Sequence, residues 1–248
     1  MKALILSAGQ GSRLLPLTEG RPKCLLPLGR QSAIEWQISA LRQCGVKDIC
    51  VVVGYHARDV EAVLARAAGR DLSIRALYNP FYKIADNLAS CWLARGEMNG
   101  DFVVINGDTL FEPAILSKLL ASPLAAITVT IDHKDKYDDD DMKVRIEGTR
   151  LREIGKSLSL HQVNGESIGM VLFRGQGPAL FARMLDDIMH TPEGVKWWYL
   201  RAIGKIAETH PVETCSIKGL AWGEIDFPED YTRAQALVAR FKDLAHQV

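Results

Sequence analysis

Several features that would place a chain in a special class are missing from these 248 residues. Lysine and arginine total 30, aspartate and glutamate also total 30, and the formal net charge at pH 7 is therefore zero. Because neither sign of charge is in excess, the composition does not indicate a surface that binds nucleic acid or membrane. No apolar run reaches the ~18 residues of a membrane-spanning helix, and the first residues lack the segments of a signal peptide. We therefore expect a cytoplasmic protein that binds neither nucleic acid nor membrane.

A framework of paired cysteines is missing as well. The five cysteines are scattered, odd in number and without a Cys-x-x-Cys pair, so they fit neither a disulfide framework nor a thiolate metal site. The sequence also has no internal repeat, no low-complexity tract and no linker rich in proline and serine. Apolar residues make up 48% of the chain, which is enough for a substantial core. We therefore predict a single domain over residues 1–248.

Short apolar strands alternate with amphipathic helices along the first half of the chain. Strands are predicted at 4–6, 48–53, 72–77 and 102–105, with helices between them. This alternation predicts an α/β fold, with a Rossmann-like, mostly parallel sheet and helices on both faces. A charge run at 132–143, a hairpin at 144–154 and a strand from 166 indicate a small β-rich lobe at about 132–175. Helices are predicted again at 195–206 and 228–244.

A turn of small residues follows the first predicted strand. Gly9 and Gly11 leave room for a ligand close to the backbone, so that neighbouring N–H groups can bind phosphate oxygens. Arg13 adds a fork of donors, and Lys23 adds a point charge. A P-loop would place lysine directly after the second glycine, and a dinucleotide fingerprint would need a third glycine where Leu14 stands. What remains is either a polyphosphate-binding turn or a glycine turn with a chance lysine downstream.

The same stretch carries a family resemblance. It reads Ser-Ala-Gly-x-Gly-Ser-Arg-Leu-x-Pro-Leu-Thr, then Arg-Pro-Lys-x-Leu-Leu-Pro. This resembles the signature of the nucleotidyltransferases that activate sugar-1-phosphates and related phosphomonoesters. The resemblance implies that Arg13 binds the β- and γ-phosphates of a nucleoside triphosphate and that Lys23 neutralises charge growing at the α-phosphate. It also implies nucleotide contacts from the first turn: Ser7, Ala8, Gly9, Gly11 and Ser12.

Further candidates for nucleotide contacts follow the second strand and open a later helix. Gly54 comes directly after the strand at 48–53, and ligands bind such sheets at the carboxyl ends of their strands. In the cluster at 86–90, plain helix capping and ligand binding explain the polar residues equally well. The resembled family places Asn-Pro and then Asn-x-x-Ser beside the nucleotide, which implies that Asn87 and Ser90 contact it. Most relatives have asparagine where this chain has Asp86.

Two aspartates are candidates for a Mg²⁺ site. Asp108 follows the strand at 102–105, and Asp226 stands before the last predicted helix. Mg²⁺ takes hard oxygen ligands and is often held by one or two carboxylates together with substrate phosphates. Alternatively, Asp108 bonds its own turn and Asp226 caps the helix. In the resembled family the matching aspartates are magnesium ligands, so the resemblance implies Mg²⁺ as cofactor.

The acceptor side is predicted from the middle of the chain. The resembled enzymes have a lysine after a strand that contacts the acceptor phosphate, which Lys156 matches by position, and Glu166 resembles part of their acceptor pocket. The acids of the run at 138–141 belong either to a solvated loop or to a contact with a cationic group or a second metal. Five aromatic residues either pack in the core or surround a quaternary ammonium group: Tyr82, Trp197, Trp198, Tyr199 and Trp222.

Together these features resemble a branch that includes phosphocholine cytidylyltransferases and enzymes for aminophosphonates and polyol phosphates. The resemblance implies transfer of CMP from CTP to a small phosphomonoester or phosphonate, with release of pyrophosphate, by one catalytic domain that forms a homodimer or acts alone. The alternatives are a hexose-1-phosphate uridylyl- or thymidylyltransferase and a non-catalytic nucleotide-sensing subunit with the same fold.

Overall fold

The structure is a computed structural model that describes residues 1–245, with side chains through residue 241. The last three residues of the predicted domain lie outside the described part. The α-helices are α1 (Ala33–Gln43), α2 (Ala57–Ala67), α3 (Asn87–Leu93), α4 (Pro113–Leu120), α5 (Gly177–Met189), α6 (Tyr199–Ala207) and α7 (Pro228–Ala245). Within the described residues, no helix is both long enough and apolar enough to cross a membrane.

Thirteen strands accompany these helices in the described part of the chain. They are β1 (Lys2–Ser7), β2 (Pro27–Leu28), β3 (Gln31–Ser32), β4 (Asp48–Val53), β5 (Ser73–Tyr78), β6 (Phe102–Asn106), β7 (Thr109–Phe111), β8 (Ile127–Asp132), β9 (Lys143–Glu147), β10 (Arg150–Ile154), β11 (Gly165–Phe173), β12 (Glu213–Ser216) and β13 (Trp222–Glu224). Nine of them form one sheet in the order β5-β4-β1-β6-β11-β8-β12-β10-β9. Two further pairs, β2 with β3 and β7 with β13, are separate ribbons.

Alternate residues of the central strands face opposite helical layers, as the period of two in a strand requires. In β1, Leu4 and Leu6 pack in a core formed with α3, α5 and α6, whereas Ala3 and Ile5 pack in a second core with α1, α2 and α4. Because helices cover both faces, the strand reads as a continuous apolar run. A third cluster joins α7 to the segment around Leu26 and Leu28.

The predicted fold class is confirmed. Strands β5, β4, β1 and β6 are parallel, and each alternation of strand and helix in the first half of the chain was predicted. The other half of the sheet is mixed, because β11 runs antiparallel to both β6 and β8. Of the predicted β-rich segment at 132–175, the β9–β10 hairpin lies at the end of the sheet order and β11 lies in the middle.

The predicted helix at 195–206 is wrong in its first third. Residues 194–196 form a single 3₁₀ turn, and Trp197 and Trp198 then have extended backbones, with ψ of 143° and 144°. The carbonyl of Trp197 accepts a hydrogen bond from the N–H of Leu88, at 3.2 Å. This contact with α3 is a tertiary interaction that local helix periodicity does not reveal, and α6 begins only at Tyr199.

Candidate functional site

The two halves of the N-terminal motif pack directly against each other. Gly11 has a left-handed backbone with φ of 74°, and its carbonyl accepts a hydrogen bond from the Thr18 hydroxyl at 2.8 Å. A Cβ atom at position 11 would lie 3.0 Å from Cβ of Lys23. Glycine is therefore needed both for the turn and for the close approach of the lysine. This packing directs Lys23 to the carboxyl edge of the sheet.

Lys23 lies between the two predicted metal ligands. Its Nζ is 2.6 Å from Oδ2 of Asp108 and 2.8 Å from Oδ1 of Asp226. All three side chains are mostly buried, with exposed fractions of 16%, 21% and 19%. Burial alone would lower the pKa of Lys23, but the two carboxylates outweigh burial and raise it above the ordinary value. The lysine is therefore a fixed positive charge at neutral pH.

A two-stranded ribbon brings the two aspartates together from distant parts of the sequence. Strand β13 pairs with β7, and the N–H of Ile225 donates to the carbonyl of Asp108 at 3.2 Å. In the part of the chain that the structure describes, the side chain of Asp226 accepts no hydrogen bond from the backbone of α7. Instead, Asp230 accepts hydrogen bonds from the N–H groups of Asp226 and Phe227, at 3.0 and 2.8 Å. The carboxylate of Asp226 is left for Lys23 and for Arg13, whose Nη2 lies 3.1 Å away.

The turn that carries Asp108 is fixed by residues that sequence reasoning missed. The buried Gln37 on α1 donates through Nε2 to the carbonyls of Asn106 and Thr109, at 2.7 and 2.8 Å. Gly107 donates to the carbonyl of Leu6 at 2.9 Å. A Cβ at Gly107 would stand 2.5 Å from that carbonyl oxygen, so any other residue here would force the backbone to shift. The Asn-Gly-Asp sequence indicates a turn, but only the fold shows what it packs against.

Two adjoining cavities form one cleft at this edge of the sheet. The first has a volume of about 290 Å³ and lies over the N-terminal turn; the second has about 180 Å³ and extends toward β10 and β11. Six residues line both: Arg13, Lys23, Asn87, Asn106, Asp108 and Asp226. Of the other predicted residues, Ser7, Gly9, Gly11 and Ser12 line the first cavity, and Lys156 lines the second. Most predicted site residues therefore share one cleft.

Ala8 and Gly54 lie outside the lining of these two cavities. Ala8 is buried, and its carbonyl accepts a hydrogen bond from the N–H of Tyr55 at 2.9 Å. A Cβ at Gly54 would lie 2.6 Å from that same carbonyl oxygen and 2.7 Å from Cβ of Tyr82. Gly54 thus allows close packing of the loop after β4 against the N-terminal turn. The sequence predicts a ligand-binding role for Gly54, but it does not reveal the packing of Gly54 against Ala8 and Tyr82.

Ser90 and Glu166, which were predicted to contact substrates, have partners within the protein. The buried Ser90 hydroxyl accepts a hydrogen bond from Nδ2 of Asn79 at 3.0 Å, which ties α3 to the end of β5. Glu166 lies 2.9 Å from Nζ of Lys134. Burial raises the pKa of Glu166 to about 7 against the opposing effect of Lys134, and the nearby Asp141 adds to the rise. Neither residue is part of the lining of the two cavities.

The second cavity is lined by Lys156 and by charged groups around it. Nζ of Lys156 lies 2.6 Å from Oδ1 of Asp140 and 5.2 Å from the ring centroid of Trp198. The other oxygen of Asp140 is paired with Arg13. One acid of the run at 138–141 therefore bridges two cations of the cleft. Burial would raise the pKa of Asp140, but Lys156 and Arg13 hold it below the ordinary value.

Glu224, at the end of β13, lines the second cavity and was not singled out from the sequence. Burial, together with the neighbouring charges of Asp108 and Asp226, raises its pKa well above the ordinary value. Four carboxylates thus line this cavity beside three cationic side chains. The arrangement suits anionic ligands that are accompanied by a cation.

The five aromatic residues do not form a cage. Tyr199 is fully buried, Trp222 donates through Nε1 to Asp132 at 2.7 Å, and Trp197 lies against the Arg201 guanidinium. Tyr82 lies beside Tyr55 at a different part of the edge. Trp198 alone of the five lines the second cavity. For the other four, packing between elements is the role that the structure shows.

Known proteins resemble this chain along nearly its whole length. The CMP-5'-(3-aminopropyl)phosphonate synthase of Streptomyces rubellomurinus is 28% identical over 247 residues, which cover 94% of this chain and 38% of that protein. The bifunctional IPC transferase and DIPP synthase of Aquifex aeolicus is 25% identical over 242 residues, which cover 96% of this chain and 52% of that protein. The CTP:phosphoglutamine cytidylyltransferase of Campylobacter jejuni is 26% identical, with 93% and 97% covered. The chain therefore spans about half or less of the first two relatives and nearly all of the third.

The fold is also that of solved structures. The inositol-1-phosphate CTP transferase from T. maritima superposes with a TM-score of 0.83 at 20% identity, covering 97% of this chain and 96% of that chain. At this level of identity the likeness supports the fold. The family expected from the N-terminal motif is confirmed by a match over residues 3–197, which is more than half of the chain. The chain belongs to the family of MobA-like NTP transferase domains.

Proposed function

We propose that this protein transfers CMP from CTP to a small phosphomonoester or phosphonate and releases pyrophosphate. The observation that carries the proposal is the convergence of the N-terminal turn, Lys23, Asp108 and Asp226 in one cleft. Cleavage of a triphosphate at its α-phosphorus concentrates negative charge, and such phosphoryl-type transfers depend mainly on positioning and charge neutralisation. The residues of the cleft would supply both.

The residues of the cleft divide into three roles. The amides of the N-terminal turn and the guanidinium of Arg13 would bind the β- and γ-phosphates. Lys23 would neutralise charge that develops at the α-phosphate as an acceptor oxygen attacks in line and pyrophosphate leaves. Lys156 would hold the acceptor phosphate in the second cavity. Each role uses a residue that lines the cleft.

Asp108 and Asp226 have the donor set that Mg²⁺ requires. Both are carboxylates, and Oδ1 of Asp108 is buried without a hydrogen-bond partner in the part of the chain that the structure describes. A hard cation held by one or two carboxylates together with substrate phosphates fits these residues. When bound, Mg²⁺ supplies neutralisation of phosphate charge. Among the described residues no cluster of three or more His, Cys, Asp or Glu side chains suited to a metal is formed, so the phosphates would complete the coordination.

CTP is proposed as the donor because the names of two relatives state cytidylyl or CMP chemistry with small phosphorylated partners, a phosphonate and a phosphoglutamine. A uridylyl- or thymidylyltransferase for hexose phosphates would use the same cleft, and a silent sensor would bind nucleotide alone. A pure sensor has little need of both Asp108 and Asp226 beside Lys23.

The test is a matrix of nucleotides and acceptors with pyrophosphate release as the readout. CTP, UTP, dTTP, ATP and GTP are each combined with phosphocholine, 2-aminoethylphosphonate, inositol-1-phosphate and glucose-1-phosphate in the presence of Mg²⁺. We expect release with CTP and a non-hexose acceptor, and none after EDTA treatment. Release with UTP or dTTP and glucose-1-phosphate alone would favour the hexose alternative, and nucleotide binding without release would favour the sensor.

A further inference from the structure

A lysine is buried directly behind the acceptor side of the cleft. Lys143, the first residue of β9, is only 2% exposed and is one of the largest fully buried side chains. Lysine is almost never fully buried unless it is paired. Within the described residues, however, no carboxylate lies within 4.0 Å of its ammonium group. The burial of this charge therefore needs another explanation.

The ammonium group of Lys143 has one hydrogen-bond partner that the structure describes, the carbonyl of Lys156, at 2.8 Å. The backbone makes a second connection to the same turn, since the N–H of Gly155 donates to the carbonyl of Lys143 at 2.9 Å. The main chain and the side chain of one residue thus hold both residues of the turn that follows β10. That turn carries the lysine proposed to bind the acceptor phosphate.

The position of Lys143 in the sheet keeps it out of the cleft. Its neighbour Met142 lines the second cavity and accepts a hydrogen bond from the N–H of Ser167, another lining residue, at 2.8 Å. Lys143 itself is not part of the lining. It therefore lies in the wall of the cavity, where it can act on a ligand only through Lys156 or through the field of its charge.

Energetics argue against a role in stability alone. Burying an ammonium group costs several kcal/mol in solvation, and replacing buried ions by apolar side chains of similar volume is often neutral or stabilising. A methionine would fill the same space and would save the cost of burying the charge. One hydrogen bond to a carbonyl offsets only a small part of that solvation cost. A residue that is costly for the fold and close to a proposed binding group fits a functional role.

We propose that Lys143 is a positioning residue for the acceptor phosphate. It holds the carbonyl of Lys156, and thereby the direction of the Lys156 side chain, and it adds a second positive charge behind the phosphate site. The inference rests on the proposed function for the identity of the ligand, since Lys156 is assigned to a phosphate or phosphonate group there. The anion affinity of the second cavity then depends on Lys143, although Lys143 does not line that cavity.

The test compares Lys143→Met with the matched control Lys136→Met, which removes an exposed lysine of the same segment. Isothermal titration measures binding of inorganic phosphate, as the group common to all phospho-acceptors, and of CTP with Mg²⁺. Thermal unfolding is followed in parallel. For Lys143→Met we expect phosphate binding to weaken about tenfold, equivalent to about 1.4 kcal/mol. CTP binding should stay within twofold, and the melting temperature should be unchanged or higher. Lys136→Met should match the wild type in all three.

The outcomes separate this inference from the proposed function. A Lys143→Met protein that melts lower but binds phosphate like the wild type would show a structural role and overturn the inference. Equal weakening of phosphate and CTP, or wild-type protein without phosphate binding, would also overturn it. If the phosphate effect appears but no nucleotide and acceptor pair releases pyrophosphate, the inference stands and the proposed function fails. Once an acceptor is known, Lys143→Met should raise its KM about tenfold with kcat nearly unchanged.

Discussion

Replacing Lys23 by methionine tests the centre of the proposed mechanism. The substitution keeps the length of the side chain but removes the ammonium group that contacts Asp108 and Asp226 at 2.6 and 2.8 Å. Two carboxylates then face the cleft without their shared cation. We expect opposite effects on catalysis and on metal binding, because the lysine assists the triphosphate but competes with Mg²⁺ for the same oxygens.

The size of each effect follows from the burial of the group. Loss of one charge aimed at a transition state costs about 3 kcal/mol, which corresponds to at least about a hundredfold in turnover. Removing one partner of a mostly buried charge-assisted hydrogen bond costs about 1–3 kcal/mol of folding stability. Without nucleotide, Mg²⁺ should bind Lys23→Met more tightly than the wild type. Added Mg²⁺ should therefore restore part of the lost stability in the variant only.

Three measurements check these expectations. Pyrophosphate release gives turnover, titration calorimetry gives Mg²⁺ affinity, and urea unfolding with and without Mg²⁺ gives stability. Lys47→Met is the control, since Lys47 is exposed just before β4, at the opposite end of the strand from the cleft. A folded Lys23→Met protein that keeps turnover within tenfold of the wild type would refute the role of Lys23 at the α-phosphate. A turnover loss without any gain in Mg²⁺ affinity would refute the assignment of the two carboxylates to the metal.

Three further predictions concern the surroundings of the site. Asp140→Asn should tighten pyrophosphate binding about threefold to fivefold in calorimetry, because the carboxylate competes with phosphates for two cations and partly exposed ion pairs contribute about 0.2–1 kcal/mol each. Gly107→Ala should lower the free energy of unfolding by about 2 kcal/mol or more in urea, because the added Cβ would lie 2.4 Å from Oγ of Ser7. Glu166→Gln should flatten the pH dependence of stability between about pH 5 and 8, by about 1–2 kcal/mol.

The sign of the pH effect follows from the direction of the shift. The pKa of Glu166 in the folded protein is about 7, above its ordinary value, so the folded state holds the proton more tightly than the unfolded state. This contribution to stability is fully present below the ordinary pKa and is lost as the pH rises through 7. Unfolding curves of wild type and Glu166→Gln that shift in parallel with pH would contradict the assignment. Lys134 and Asp141 contact or face the group, and Lys143 is its cross-strand neighbour in β11 and β9.

The predictions for Asp140→Asn and Gly107→Ala each have a matched control variant. Asp139 is exposed and makes no ion pair with any residue of the described part, so Asp139→Asn should leave pyrophosphate binding unchanged. An equal effect of Asp139→Asn would mean that general charge, and not the bridge to the cleft, is responsible. Gly100 has no atom within 4 Å of an added Cβ, so Gly100→Ala should be tolerated. A similar loss of stability in both glycine variants would contradict the packing argument for Gly107.

Much of the parallel half of the fold could be predicted from the sequence because its signals are local. A strand buried on both faces reads as an apolar run, and a helix start such as Ser32 with Glu35 carries its own capping pattern, which the structure contains. The mixed half was less accessible. β11 inserts between β6 and β8 by long-range pairing, which leaves no periodic signal in the sequence.

The candidate site, like the fold, could be predicted from the sequence only in part. The residue types of the N-terminal turn, together with Lys23, Asp108 and Asp226, are compatible with phosphate and metal chemistry, since donors and hard oxygens are chemical properties of side chains. The family resemblance, and not the residue types alone, favours that interpretation. That Lys23 lies between the two acids depends on the β7–β13 ribbon, which only the tertiary structure shows.

Sequence determined which groups are available; packing decided where each one points. Ser90 and Glu166 match the family pattern, yet their side chains bond Asn79 and Lys134, because buried polar groups take the nearest partner that satisfies them. Lys143 gave no local signal, and its position behind Lys156 follows from the pairing of three strands. The chemistry of a side chain depends on its residue type alone, whereas distant residues come close together only after the chain has folded.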